Sequence, residues 1–379
     1  MYVNKKVLAA GHICLDITPV FNQQKVTKLT DLLSPGKLIH VGRPDIHLGG
    51  SVANTGLAMS ILGANVRLAA KIGCDEFGQL VKQNLKRYTC EAELVEDNSI
   101  GTSYSIVIAV SGVDRLFLHD PGANDTFYAD DIKDWMLSDI SHFHFGYPTL
   151  MRQMYENDGE ELYNLFHRVK EKGITTSLDM SVVDPNSLAG KVNWRRILSR
   201  VLPLIDFFVP SIEEIGFMLN REQYHIWNQR ANGGDITGFL SVDEDIKPLA
   251  DEIIKLGAAV VMLKCGAPGI YYQSCKKASI QELCRIHDLS LNDWLGMDGF
   301  QKGFRPEKVI SATGAGDVCI AAFLTAMLLG KALKECVCLA ALAGAECVTT
   351  YDALSGLEPL SMLEYKLRRL AENQPSSEK

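Results

Sequence analysis

The chain has 379 residues, of which 47% are hydrophobic and 22% charged, and a formal net charge of −8, with a pI near 5.6 and a mean hydropathy of +0.02. This composition fits a soluble protein with apolar material for a sizeable core, and it lacks the basic field expected of a general nucleic-acid binder. No apolar run reaches the ~20 residues needed to span a bilayer, and the apolar stretch after Met1-Tyr2-Val3-Asn4-Lys5-Lys6 is too short for a signal peptide. A cytoplasmic protein without a membrane partner is therefore expected. The ten cysteines form no CxxC pair and sit mostly inside apolar segments, which reads as reduced packing residues rather than disulfides or zinc ligands.

In chain order, residues 7–11 read as a first buried strand and 38–47 as extended chain. A strand follows at 66–72, then a helix at 76–86 with Phe77, Leu80, Val81 and Leu85 on one face. Over 102–110, Tyr104, Ile106, Ile108 and Val110 alternate with smaller or polar neighbours. After the turn Ser111-Gly112-Val113-Asp114, Leu116 and Leu118 alternate again, which predicts a hairpin with one covered face. Strands are expected at 141–145, 174–179, 205–209 and 259–264, with helices at 160–172 and 249–256 between them. Segments 221–242 and 275–305 are polar, glycine-containing and weakly periodic, as insertions would be. Two strongly apolar helices are predicted at 315–329 and 333–349, and a disordered tail at 372–379. This alternation predicts an α/β fold, a doubly wound, mostly parallel sheet flanked by helices, as one domain over 1–379. A small β lid built from about 16–47 and 102–119 completes it. So small a sheet is marginal alone, so it should cover a cleft, a second subunit, or both.

The strongest motif is Thr313-Gly314-Ala315-Gly316-Asp317, between the short β-like Lys308-Val309-Ile310 and a long apolar helix. Small residues at a helix start let backbone N–H groups approach an anion, and the helix dipole favours negative charge there. An acidic residue at such a place would repel a bound phosphate, which makes sense if Asp317 is a base for an incoming hydroxyl. In isolation the bland interpretation is the better one: a carboxylate that stabilises the helix dipole by ~0.3–1 kcal/mol.

The motif does not stand alone. Residues 311–323 resemble the C-terminal signature of the ribokinase-like (PfkB-type) carbohydrate kinases. Their N-terminal signature is matched by Gly49-Gly50-Ser51-Val52-Ala53-Asn54 and Leu62-Gly63, followed by Lys71-Ile72-Gly73-Cys74-Asp75-Glu76-Phe77-Gly78. Asp16 lies five residues after Gly11, and Lys264-Cys265-Gly266 with Gly269 resembles the nucleotide-side strand and turn. The matches occur in family order over nearly the whole chain. The resemblance implies ATP-dependent phosphorylation of a small sugar, with Asp317 as base and Gly314, Ala315 and Gly316 forming the anion hole. Asp16, Gly49, Gly50 and Asn54 would bind the acceptor, since carboxylate and amide groups suit paired hydroxyls. Ser211, Glu214, Lys264, Gly266, Gly269 and Thr313 would lie on the ATP and Mg²⁺ side, with Mg²⁺ held through phosphates and water. A homodimer through the lid is a further implication.

Two positions depart from the family pattern. Ser211 replaces the asparagine of an Asn-x-x-Glu motif, and Ser211 with Glu214 also fits a helix capping box. Ser311 stands where many members carry an aspartate of a monovalent-cation site, so that requirement is left open. Other candidates carry less. His142 and His144 share a strand face without a third ligand. Arg115, His119 and Asn124 read equally well as substrate contacts or as solvated hairpin residues, and Trp294 with 296–305 would flank adenine only by position. A nucleoside kinase of the same architecture and a silent sugar-binding regulator are the alternatives. A dinucleotide-dependent oxidoreductase would need GxGxxG after the first strand, which Ala9-Ala10-Gly11-His12-Ile13-Cys14 lacks.

Overall fold

The computed structural model describes residues 5–21, 28–110 and 115–372. The expected turn at 111–114 and the tail at 373–379 lie outside the described residues. Thirteen strands are described: β1 (Lys6–Gly11), β2 (Cys14–Thr18), β3 (Asp45–Gly49), β4 (Asn65–Gly73), β5 (Glu91–Asp97), β6 (Tyr104–Ile108), β7 (Leu116–Asp120), β8 (His142–Gly146), β9 (Thr175–Asp179), β10 (Phe207–Phe208), β11 (Val260–Lys264), β12 (Gly269–Ser274) and β13 (Asp298–Lys302).

Nine of them form one sheet in the order β13-β12-β11-β10-β9-β8-β1-β4-β5. It is parallel from β11 to β5, with β12 and β13 antiparallel at one edge. The central strands are apolar on both faces because helices cover both. In β1, Val7 and Ala9 face one core and Leu8 and Ala10 the other. The helix Ala315–Leu328 is apolar around its circumference and buried on every side, wedged against the helix Leu333–Cys347.

The in-register pairs Gly11–Gly146 and Gly146–Asp179 bring the carboxyl ends of β1, β8 and β9 level. In open parallel sheets that edge is where ligands bind. Over it lies the four-stranded sheet β3-β2-β6-β7, in which β2 and β6 run parallel and the outer pairs antiparallel.

The structure differs from the sequence expectations in places. The segment 275–305 is no insertion: it holds the helix Ala278–His287 and the edge strand β13. Likewise 221–242 contains the helix Arg221–Ala231, anchored by buried Trp227. Only Asp45–Gly49 of the extended stretch pairs as a strand, and the half-exposed β5 has no counterpart in the expected strands. Among the described residues no helix is long and apolar enough to cross a membrane.

Candidate active site

Gly314 adopts φ 74° at the start of the helix Ala315–Leu328, and no side chain caps that end. A side chain here would be strained, and a Cβ would sit 2.2 Å from that of Ala353. The glycine therefore permits a turn that no side chain caps, with Asp317 in the same turn and Ala315 N–H donating to the Ala312 carbonyl at a long 3.4 Å.

Asp317 is 4% exposed, and three side chains donate to its carboxylate. The Tyr147 hydroxyl bonds both oxygens at 2.8 Å, Thr55 Oγ1 reaches Oδ1 at 3.1 Å, and Asn54 Nδ2 reaches Oδ2 at 3.1 Å. Burial raises the pKa of Asp317, against the opposing pull of Tyr147, Lys264, Thr55 and Asn54. Asn54 and Thr55 come from the helical turn Val52–Leu57, and Tyr147 from the turn after β8.

Behind Asp317 lies a buried charge cluster at the ends of β9 and β11. Lys264 Nζ bonds Asp179 Oδ1 at 2.8 Å and the Val209 carbonyl at 2.6 Å. Burial pulls Lys264 down, but the carboxylates of Asp179, Glu214 and Asp317 outweigh it and leave its pKa raised. Burial pushes Asp179 up, with Lys264 opposing. Ser211 and Glu214 form a reciprocal capping box, Ser211 N–H donating to Glu214 Oε2 at 2.7 Å and Glu214 N–H to Ser211 Oγ at 3.2 Å. Gly266 and Gly269 make the tight turn between β11 and β12, closed by Cys265 N–H donating to the Gly269 carbonyl at 2.9 Å.

A cavity of ≈ 820 Å³ opens between the smaller sheet and the segments around Ser311 and Asp352. Asp16, Asn54, Ser311 and Thr313 line it, together with Arg87, Arg115 and Asp352. Because Asn54 both lines the cavity and bonds Asp317, one side chain separates the carboxylate from the open volume. Burial raises the pKa of Asp16, against hydrogen bonds from Cys14 and Ser105. Gly49 lies diagonally against that side chain: a Cβ there would come within 2.4 Å of Asp16 Oδ2. At Gly50, with φ 85°, it would meet His12. The Ser311 hydroxyl accepts from Arg115 at 3.2 Å and from Thr313 N–H at 3.3 Å.

The remaining sequence candidates have structural roles. His142 and His144 are buried and hydrogen-bonded to Thr175 and Ser177, and no metal-binding group occurs among the described residues. Asn124 is buried and satisfies the backbone of Ile13 from both sides, so it does not face substrate. Trp294 is fully buried against Phe207 and Phe323, which leaves no face for adenine. His119 meets His12 at 3.3 Å, bridging β7 to the β1–β2 junction. Sequence reasoning missed Thr55, Tyr147 and Asp179 as neighbours of the site. The turn Gly146-Tyr147-Pro148 was the available signal for Tyr147, and Thr55 stands beside Asn54 in the N-terminal signature; nothing local marked Asp179.

Comparisons with known proteins agree with this architecture. The model of the pfkB family of carbohydrate kinases matches residues 4–359. An uncharacterized sugar kinase of Archaeoglobus fulgidus is 23% identical over 305 residues, covering 79% of this chain and 98% of its own. The structure resembles a putative ribokinase II from E. coli solved with ATP and Mg²⁺, at TM-score 0.70, 19% identity and coverage of 96% and 99%. It also resembles Arabidopsis thaliana ribokinase solved with ribose and ATP, at TM-score 0.69, 18% identity and coverage of 97% and 99%. The fold, the uncapped Gly314 turn with its buried carboxylate, and a family match spanning nearly the whole chain make this protein a member of the pfkB family of carbohydrate kinases.

Proposed function

We propose that the protein transfers the γ-phosphate of ATP to a hydroxyl of a small sugar, with Asp317 as the base. The observation that carries this is the position of the Asp317 carboxylate: in the first turn of an uncapped helix, one side chain from a cavity lined by polyol-binding residue types. The substrate hydroxyl enters past Asn54 and gives its proton to Asp317. Its oxygen forms the new bond to phosphorus as the bond to the bridging oxygen of ADP breaks. The N–H groups of Ala315, Gly316 and Asp317 stabilise the charge on the transferring group. Asp16, Gly49, Gly50 and Asn54 hold the acceptor, and the smaller sheet acts as a lid that limits loss of phosphate to water.

On the nucleotide side the proposed set is Ser211, Glu214, Lys264, Gly266, Gly269 and Thr313. Asp179, Glu214 and Asp317 act electrostatically on the Lys264 ammonium, and among the described residues they form no metal-binding group by themselves. Mg²⁺, held through ATP phosphates and water rather than by a protein cage, would supply further neutralisation of phosphate charge. Pairing through the lid is part of the proposal; exposed Leu116 and Leu118 on β7 support it, and sedimentation velocity tests it.

The second reading is a nucleoside acceptor. Ile46, Leu48, Val107, Ala109 and Phe117 give the cavity an apolar wall that a free sugar does not need. A panel of sugars, sugar acids and nucleosides, assayed by coupled ADP release, separates the two. Turnover with no member of the panel, or undiminished turnover in Asp317→Asn, overturns the proposal.

A further inference from the structure

We propose that Tyr147 is a positioning residue that orients the Asp317 carboxylate and keeps it ionised for proton abstraction. This rests on the assignment of Asp317 as base.

The argument begins with the backbone. Tyr147 adopts φ 66° and ψ 42°, a left-handed conformation that bulky residues rarely hold without a functional reason. It follows Gly146 at the carboxyl end of β8 and precedes Pro148. That conformation aims a long side chain across the sheet end to a residue 170 positions away in sequence. The hydroxyl proton is shared between both carboxylate oxygens at 2.8 Å. A donor centred on the two oxygens fixes the rotation of the carboxylate, whereas Thr55 and Asn54 each hold one oxygen.

The chemistry follows from which group can give way. Asn54 faces the cavity, so an incoming hydroxyl can take its place at Oδ2. Tyr147 is not among the residues lining that cavity, so it remains while the substrate hydroxyl docks. A hydrogen bond to the charged form favours it, and the phenol itself stays protonated, because burial and the nearby carboxylates of Asp317, Asp179 and Glu214 raise its pKa. Among the described residues, the other charged or titratable groups that sense Asp317 are Lys264, Asp179, Cys319 and Cys347, along with the donors Thr55 and Asn54.

The test is the pH dependence of kcat/KM in Tyr147→Phe, which keeps the ring and the backbone and removes only the donor. The acid limb should move to higher pH by about one unit, and kcat should fall about tenfold at neutral pH and recover partly in alkaline buffer. The KM for the acceptor should stay within about twofold. Thermal unfolding of the variant accompanies the kinetics, and Asp317→Asn is measured alongside. A profile superimposable on the native one, with Asp317→Asn inactive, overturns the role of Tyr147 and leaves the base in place. Activity retained in Asp317→Asn removes the base itself. If Tyr147→Phe unfolds, Tyr147→Asn, which tolerates the left-handed backbone, brings no titrating group and is too short to reach both oxygens, must show the displaced acid limb; a folded Tyr147→Asn with an unmoved limb counts against the proposal.

Discussion

The side-chain amide of Asn54 donates to Asp317 Oδ2 at 3.1 Å, and Asn54 lines the cavity beneath the smaller sheet. It therefore touches both the proposed base and the space where an acceptor would lie. Asn54→Ala removes the amide proposed to hold the acceptor hydroxyl against the Asp317 carboxylate, and a hydrogen bond in so charged a setting is worth about 1.5–3 kcal/mol. We expect kcat/KM for the acceptor to fall roughly 10–100-fold while nucleotide affinity, measured by calorimetry, changes less than about twofold. Unchanged acceptor kinetics would show that the amide does not mediate between cavity and carboxylate.

Gly49, paired with Cys14 in the β2–β3 register, lies diagonally against the Asp16 side chain, with no room for a methyl group between them. In Gly49→Ala the new Cβ would lie within 2.4 Å of Asp16 Oδ2 and 2.8 Å of Oδ1, so the carboxylate must turn away. The acceptor KM should rise about tenfold or more, with a modest loss of stability of about 1–3 kcal/mol from overpacking. The pair of measurements is decisive: a destabilised variant with a native KM would mean that the orientation of Asp16 is irrelevant to binding.

The site was legible in the sequence where chemistry and spacing coincide. Asp317 beside three small residues, and Asn54 four residues after Gly50, are local patterns and appear in the structure on adjoining helix starts. Tyr147 and Asp179 meet the site only through tertiary contact, since no spacing rule links Tyr147 to Asp317 across 170 residues or Asp179 to Lys264 across 85. The central strands were legible because burial on both faces writes a continuous apolar run. The edge strands were not: β5 reads Glu-Ala-Glu-Leu-Val-Glu-Asp and β13 reads Asp-Gly-Phe-Gln-Lys, both partly open to solvent. Asn124 and Trp294 looked available for ligand and proved to be satisfied by the backbone of Ile13 and by the aromatic core, distinctions that only packing reveals.

Stability should fall steeply on mild acidification. His142, His144 and His287 cluster around Thr175 and Ser177, and burial lowers all three pKa values: His142 well below 6.5, His144 and His287 to about 3. Between pH ~3 and ~6.5 the unfolded chain binds protons that the folded chain refuses. Stability is therefore complete above about pH 6.5 and is lost as pH falls, by about 1.4 kcal/mol per pH unit for each histidine. Urea unfolding at several pH values from 4.5 to 7.5 should show this slope, and His144→Asn should reduce it by about one proton. An identical slope in native protein and His144→Asn would contradict the neutral, buried state of that ring; the comparison cancels the opposing contribution of buried carboxylates such as Asp179, whose pKa burial raises.

Lys264 senses three acidic groups, and its removal tests whether the cluster behaves as a unit. Its ammonium bonds Asp179 at 2.8 Å, with both side chains largely out of water, and Glu214 and Asp317 add to the field that keeps it charged. Replacing only the cation, as in Lys264→Met, leaves Asp179 uncompensated; such a break costs about 3–5 kcal/mol. In Lys264→Met/Asp179→Asn the abandoned charge is gone as well, so the double variant should be more stable than Lys264→Met alone. The cycle should give a coupling of roughly 1–3 kcal/mol by urea unfolding at neutral pH. The same substitution should also raise the acid limb of kcat/KM, because Lys264 helps keep Asp317 ionised. Strictly additive single substitutions would mean that the two charges do not sense each other, and the cluster would then have no bearing on the base.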